Sequence, residues 1–222
     1  MVLNYYMNII DTSTKFKDPS LDNSIENIPL FEIKPVEYEI SDSLTTDIIF
    51  QSVASVKHFK HFEICKRINV FAMGESTKRA LEKIGIDSTT PGIPGSSSLK
   101  ELLGKKLMNR KFAIVKGLDG LDELHDHIIK YGADAENIFC YKRKKFFSYK
   151  DIREKFNKAD IVIFSSNFAA ELFFENIYIS DSEISFVCIS ERIKEYINKL
   201  GYEAKTINYF SDDLLNEIKK TI

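Results

Sequence analysis

Several chemistries are excluded by what this sequence does not contain. Its three cysteines, Cys65, Cys140 and Cys188, lie far apart with no C-x-x-C pair, which argues for buried reduced thiols rather than a redox or metal centre. Positive charge is not in excess: 31 Lys and Arg stand against 33 Asp and Glu, a formal net charge of −2. No general field therefore draws in nucleic acid, and any anion must be held by local arrangement. No apolar run approaches the roughly 18 residues of a membrane span, and the chain starts with neither a basic n-region nor an apolar h-region. The expectation is a chain that is neither exported nor embedded in a membrane, hence cytoplasmic. Gly117-x-x-Gly120 lacks the G-x-G-x-x-G spacing of a dinucleotide loop, and no G-x-S-x-G, H-E-x-x-H or P-loop signature occurs. His58 and His61 could reach one metal at i, i+3, but no third ligand stands near them, so no metal site is expected.

What the sequence does contain is one pattern used twice. The apolar strand Asp47-Ile-Ile-Phe50 breaks into the turn Gln51-Ser52-Val53, and a second strand, Ile68 to Met73, breaks into Gly74-Glu75-Ser76-Thr77. Later, Asp160 to Phe164 leads into Ser165-Ser166-Asn167, and Ile184 to Ile189 leads into Ser190-Glu191-Arg192. Phe50 and Ser52 recur as Phe164 and Ser166 at one spacing; Glu75, Lys78, Lys83 and Gly85 recur as Glu191, Lys194, Lys199 and Gly201 at a slightly longer one. Thr77, Ala80, Leu81 and Ile84 lie at i, i+3, i+4, i+7, as do Ile193, Tyr196, Ile197 and Leu200, so one helix face packs on a sheet in both copies. The repeat is longer than the roughly 20 to 50 residues of a solenoid unit, which leaves two similar domains. The 222 residues and 44% hydrophobic content suit that.

In chain order, Met1 to Met7 is β-prone and Asp11 to Asn27 polar and irregular, with a turn at Asp18-Pro19-Ser20; together they read as a degraded first unit. Ile28 to Ile33 reads as a strand opening on Pro29, and Val36 to Ile40 continues extended. Ser98 with Glu101 reads as a capping box, and Ser211 or Asp212 as the cap of the last helix. Lys111 to Val115 is a strand ending in Lys116-Gly-Leu-Asp-Gly120, and Leu121, Leu124, Ile128 and Tyr131 mark a helix stopped by Gly132, a βαβ order. Ala135 to Tyr141 is a strand entering the basic run Lys142 to Lys145. The expected fold class is thus α/β: two similar parallel-sheet domains, one inserted in the other and joined by a two-stranded linker. Residues 1–36 with 143–222 form the discontinuous domain, 40–138 the inserted one, and 36–40 with 138–143 the linker strands.

The order of these weak motifs, strand with F-x-S turn, strand with G-x-x-T turn, glycine turn, linker tyrosine and a second F-x-S block, resembles the uroporphyrinogen-III synthase family from Ile28 onward. The resemblance implies two α/β domains with the site in the cleft between them. It implies cyclisation of the linear tetrapyrrole hydroxymethylbilane with loss of water and inversion of the last pyrrole, a hydro-lyase reaction of haem and tetrapyrrole biosynthesis. It implies no metal or cofactor, a small-molecule substrate, no nucleic-acid or membrane partner, and a monomer. By position it implies catalytic roles for Tyr141 and Thr77. Substrate contacts are implied for Ser52, Val53, Gly74, Ser76, Lys116, Gly117, Lys142, Ser166, Asn167 and Ser190. In the second block Ser190-Glu-Arg-Ile193 stands where the family has G-x-x-T, and Met1 to Met7 shows no counterpart of its N-terminal strand-arginine element. A substrate with eight carboxylates needs many anion sites, and helix N-termini at the strand ends of an α/β sheet offer them, each contributing about 0.3 to 1 kcal/mol. A neutral phenol with a reference pKa near 10 can donate a proton at pH 7, which suits Tyr141 to the departing hydroxyl. A second class stays open, a non-catalytic two-domain binding module or sensor for a carboxylated metabolite.

Overall fold

The computed structural model describes residues 7–14, 24–40, 45–180, 182–211 and 213–221. The expected turn at Asp18-Pro19-Ser20, the cap at Asp212 and all but Met7 of the first β-prone segment lie outside them. The elements run β1 (Ile9–Asp11), β2 (Ile25–Asn27), β3 (Phe31–Pro35), β4 (Asp47–Phe50), α1 (Val53–His58), β5 (Asn69–Ala72), α2 (Glu75–Glu82), α3 (Ser96–Leu103) and β6 (Lys111–Gly117). They continue with α4 (Glu123–Lys130), β7 (Asp134–Lys145), α5 (Lys150–Asn157), β8 (Ile161–Phe164), α6 (Asn167–Asn176), β9 (Ser185–Cys188), α7 (Glu191–Lys199), β10 (Ala204–Thr206) and α8 (Leu214–Lys219). The chain divides into two compact units, Met1–Glu32 with Lys144–Ile222, and Ile33–Arg143. It passes from the first to the second within β3 and returns within β7, and these two strands are neighbours.

The unit Ile33–Arg143 holds a sheet in the order β3-β7-β6-β4-β5, with β5, β4, β6 and β7 parallel. Alternation along β4 sends Ile48 and Phe50 into one core with Val56, Phe59, Leu81 and Val115, and Ile49 into another with Leu99, Phe112, Ile114, Leu124 and Ile128. Both faces are covered, which is why the strand is an unbroken apolar run rather than an alternating one. The strand itself opens on a charge ahead of that run, Asp47, which is fully buried at the amino end of β4. Arg110 grips it with two hydrogen bonds, Nη2 to Oδ1 at 2.5 Å and Nε to Oδ2 at 2.9 Å, and Thr46 and Asn69 donate to it as well.

The other unit holds five parallel strands in the order β10-β9-β8-β1-β2. Ile9, Ile25, Ile161, Ile163, Val187 and Ile218 fill one core. Phe164, one residue on from Ile163, meets Phe173 of α6 at 5.3 Å between ring centroids, and Phe174 stacks on Tyr202 at 4.1 Å.

The repeated block therefore has the same local structure twice, but not the same place in its sheet. β5, the second strand of the first block, is an edge; β9, its counterpart, lies between β8 and β10. Other local expectations shift for identifiable reasons. The stretch Asp11 to Asn27, expected irregular, is bounded by β1 and β2, each too short to show a period in sequence. The strand expected from Ile28 begins at Phe31: Ile28 donates to Asp11 O, and Pro29 has no N–H to continue the ladder. Val36 to Ile40 is not strand, although Val36 N still donates to Cys140 O at 3.0 Å. The helix expected from a Ser98 cap starts at Ser96 after Gly95, and Ser96 Oγ donates to Glu123 instead. The last helix is capped by Asp213, whose carboxylate accepts from Asn216 N, not by Ser211. Ile84 and Leu200, placed last on their apolar faces, are 50% and 41% exposed because both helices end just before them.

Candidate active site

In each sheet the chain reverses its direction of travel once, between β4 and β6 in one unit and between β1 and β8 in the other. At such a point the loops leaving adjacent parallel strands diverge, and the carboxyl strand ends border a crevice. After β4 comes Gln51-Ser52, after β6 Leu118, after β1 Thr12-Ser13 and after β8 Ser165-Ser166.

Ser52 has extended backbone and caps α1 through a reciprocal pair: its Oγ accepts from Ser55 N at 3.0 Å, and its own N–H donates to Ser55 Oγ at 3.1 Å. The same Oγ lies 3.0 Å from the Tyr141 hydroxyl. Tyr141 reaches it because the β6–β7 register slips: Lys116 pairs with Phe139, but Gly117 pairs with Tyr141. The phenol ring then lies directly over Gly117, where a Cβ would sit 2.6 Å from Tyr141 Cε2. Burial raises the Tyr141 pKa; the Ser52 hydrogen bond and the Arg143 charge pull it back without cancelling the rise. The phenol is protonated at neutral pH and able to donate. Ser52, Gly117 and Tyr141 are thus brought together, with Val53 half-buried beside them as the first residue of α1.

Gly74 is the N-cap of α2 after β5, the neighbour of β4, and Ser76 and Thr77 lie in the first turn of that helix. Gly74 is without a side chain for a packing reason, since a Cβ there would meet Pro94 Cβ at 2.7 Å. Thr77 is 5% exposed and its N–H donates to Gly74 O. Lys116 is placed unlike an open substrate ligand. It is 1% exposed, with its ammonium donating to Leu121 O and Asp122 Oδ1, both at 2.7 Å, and lying 5.8 Å from the Phe139 ring centroid. Gly120 leaves room for it, since a Cβ there would meet Lys116 Cε at 2.7 Å. The buried ammonium ties down the loop that begins at Gly117. The basic run continues β7: Lys142 is exposed, while Arg143 pairs with Asp119.

In the other unit Ser166 caps α6 as Ser52 caps α1, its Oγ accepting from Ala169 N at 3.1 Å. Asn167 follows, with a buried Oδ1 that has no hydrogen-bond partner among the described residues. Ser190 is the extended N-cap of α7, but its hydroxyl makes no capping bond. Sequence reading missed the cluster at the end of β1. Asp11, fully buried, accepts from Ser13 N at 2.8 Å, Ser13 Oγ at 3.0 Å and the Tyr209 hydroxyl at 2.6 Å. Asn27 donates to Asp11 O and Ser13 O. Burial and the Asp11 carboxylate push the Tyr209 phenol well above its usual range. The one sequence signal was Asp-Thr-Ser directly after Ile9-Ile10. No arginine follows this strand, the chain reading Thr12-Ser13-Thr14.

Comparison with known proteins fits this geometry. A crystal structure of uroporphyrinogen-III synthetase from Helicobacter pylori matches with a TM-score of 0.72 at 14% identity, covering 97% of this chain and 99% of that one. A mutant uroporphyrinogen III synthase from the extremely thermophilic bacterium Thermus thermophilus matches with a TM-score of 0.60 at 12% identity, covering 88% and 89%. At such identities the likeness is one of fold. The comparison with curated protein sequences gives no match. A family model described as uroporphyrinogen-III synthase HemD matches residues 24–210, most of the chain and every strand end described above except that of β1. With that span matched, the chain belongs to the uroporphyrinogen-III synthase family.

Proposed function

We propose that Tyr141 is the proton donor of this family's reaction in the present chain, a hydro-lyase step in which hydroxymethylbilane loses water, closes its ring and inverts the last pyrrole. The carrying observation is the phenol of Tyr141, half-buried and neutral, hydrogen-bonded to Ser52 beside the point where the sheet reverses direction. The pyrrole nitrogen next to the hydroxymethyl group pushes electrons toward the carbon–oxygen bond. The bond breaks as the hydroxyl takes a proton, and the last ring's substituted carbon then closes on the first. Little more is asked of side chains; holding the reacting carbons together supplies most of the acceleration.

Thr77 is read as a second polar contact near the reacting end. Val53, Gly74, Ser76, Gly117 and Lys142 in one unit, and Ser166, Asn167 and Ser190 in the other, are read as carboxylate-binding positions, while Ser52, engaged with Ser55 and Tyr141, is read as part of the Tyr141 site. For α6 and α7 the favourable end of the helix dipole supports this. Lys116, paired internally, is read as holding the glycine loop. We read the protein as a cytoplasmic monomer without a nucleic-acid partner, its discontinuous unit and Ile33–Arg143 serving as outer and inserted domains.

The test is to supply freshly generated hydroxymethylbilane and separate the product isomers. Type III product at enzymatic rate is expected, with Tyr141→Phe slowing turnover about ten- to a hundredfold while the isomer preference persists. Only the spontaneous type I isomer would overturn the activity; full kcat in a folded Tyr141→Phe would overturn the role of Tyr141.

A further inference from the structure

Three hydroxyls around the turn after β4 have few ways to satisfy their hydrogens. Ser55 Oγ lies 2.6 Å from Ser52 O and donates to it, so its hydrogen is committed. Ser52 Oγ accepts from Ser55 N, and Tyr141 Oη at 3.0 Å is the acceptor within its reach among the described residues. The pair leaves one hydrogen over in either direction, that of Ser52 if Tyr141 donates and that of the phenol if Ser52 donates. Only the second arrangement leaves the phenol hydrogen for a substrate.

We propose that Ser52 is a positioning residue that donates its hydroxyl hydrogen to Tyr141 Oη, fixing the ring and directing the phenol's own hydrogen outward to the substrate hydroxyl. The inference rests on the reading of Tyr141 as proton donor. Two features make the arrangement more than a cap. The Ser55 N–H polarises the Ser52 hydroxyl, which strengthens it as a donor to its next partner. A donor at the phenol oxygen also stabilises the phenolate left when the proton goes to the departing water, so the bond tightens as the reaction proceeds. The proton count is simple: the phenol O–H breaks, water forms with the released hydroxyl, and the phenolate regains a proton from the ring carbon or solvent at the end of the cycle. Ser166, the counterpart in the other unit, caps its helix in the same way, and among the described residues no phenol is hydrogen-bonded to it. Capping alone therefore does not require the Ser52–Tyr141 pair.

Ser52→Gly separates the two roles, because glycine at an N-cap costs only a few tenths of a kcal/mol relative to serine. On the full chain, kcat for Ser52→Gly is expected to fall about three- to tenfold, the effect of one hydrogen bond, with KM changing less. Ser52→Thr, which keeps a hydroxyl, recovers most of that loss. Tyr141→Phe and the double variant Ser52→Gly/Tyr141→Phe turn over equally, since Ser52 acts through a group already removed. With 13Cζ-labelled tyrosine, assigned by the signal missing from Tyr141→Phe, the Tyr141 resonance titrates at higher pH in Ser52→Gly than in the wild type. An unchanged kcat in Ser52→Gly beside a slowed Tyr141→Phe would overturn the inference and leave the role of Tyr141 standing. A further loss in the double variant, or an unmoved titration, would also overturn it. A Tyr141→Phe with full kcat would remove the reading on which it rests.

Discussion

Adding one methyl group at Gly117 should cost both stability and turnover, and the structure says through which atom. A Cβ at Gly117 would lie 2.6 Å from Tyr141 Cε2, 2.7 Å from Cζ and 3.0 Å from the hydroxyl. The obstacle is an aromatic ring rather than the tip of a flexible side chain, so relief requires the ring to move by about 1 Å to reach ordinary carbon–carbon separation near 3.5 Å. The Ser52–Tyr141 distance is 3.0 Å, and a ring displacement of that size is comparable to the margin of a hydrogen bond, so the pair is expected to be strained or broken. Overpacking of this kind costs roughly 1 to 3 kcal/mol, offset by about 0.4 to 1 kcal/mol because alanine restricts the unfolded chain more than glycine. The expected net is a destabilisation of about 1 to 2 kcal/mol, with kcat approaching that of Tyr141→Phe. Urea unfolding of Gly117→Ala and its rate of type III formation are the two measurements. Wild-type stability together with wild-type kcat would refute the placement of the ring over Gly117.

Two further outcomes follow from buried groups away from the site. Burial alone would raise the Asp47 carboxyl, but hydrogen bonds from Arg110, Thr46 and Asn69 outweigh it and hold its pKa below the usual value. Its contribution is thus full above the unfolded-state pKa near 3.9 and is lost as pH falls through the lower folded value. Asp47→Ala should cost about 3 kcal/mol at pH 7, the low end for a broken buried pair because Arg110 keeps 27% exposure, and the gap to wild type should narrow only below about pH 4; urea titrations at both pH values check this. Burial pushes the Cys65 thiol to about 11 and Cys140 to about 12, and raises Cys188 as well. Native protein at pH 8 should therefore leave all three unreacted with a disulfide reagent for minutes, and denatured protein should react at once; rapid native labelling would contradict the burial.

The sequence revealed the parts of this fold that rest on short-range physics. β4 carries three consecutive apolar residues after Asp47 and β8 carries four, as strands of parallel sheets covered on both faces do, and the faces of α2 and α7 show at helical spacing. β1 escaped because three residues carry no period, and its closing interaction joins Asp11 to Tyr209 across 198 positions. Lys116 looked like an available cation at a strand end; only the folded loop shows its ammonium taken by Leu121 O and Asp122. Ser52 and Tyr141 each drew attention separately, but their hydrogen bond depends on a register slip between Lys116 and Gly117, and a slip of one residue leaves no mark in composition or spacing.

The unequal divergence of the two repeated blocks can be traced to sheet position. The first strand of each block, β4 or β8, borders the point where its sheet reverses direction, although the blocks then proceed differently, to an edge in one unit and toward β10 in the other. The turn after that first strand keeps its pattern, Phe50-x-Ser52 and Phe164-x-Ser166, with both serines accepting the N–H three residues on. The turn after the second strand does not: Gly74 to Thr77 answers to Ser190 to Ile193. A loop at the reversal point opens between diverging connections, where a ligand group can approach the helix start, so its geometry is constrained from both sides. A loop one strand further out meets that constraint on one side only. At Gly74 the missing side chain answers to Pro94, a neighbour within its own unit. On this argument the glycine at position 74 answers to packing within its own unit, and a serine at position 190 is no sign that catalysis has been abandoned.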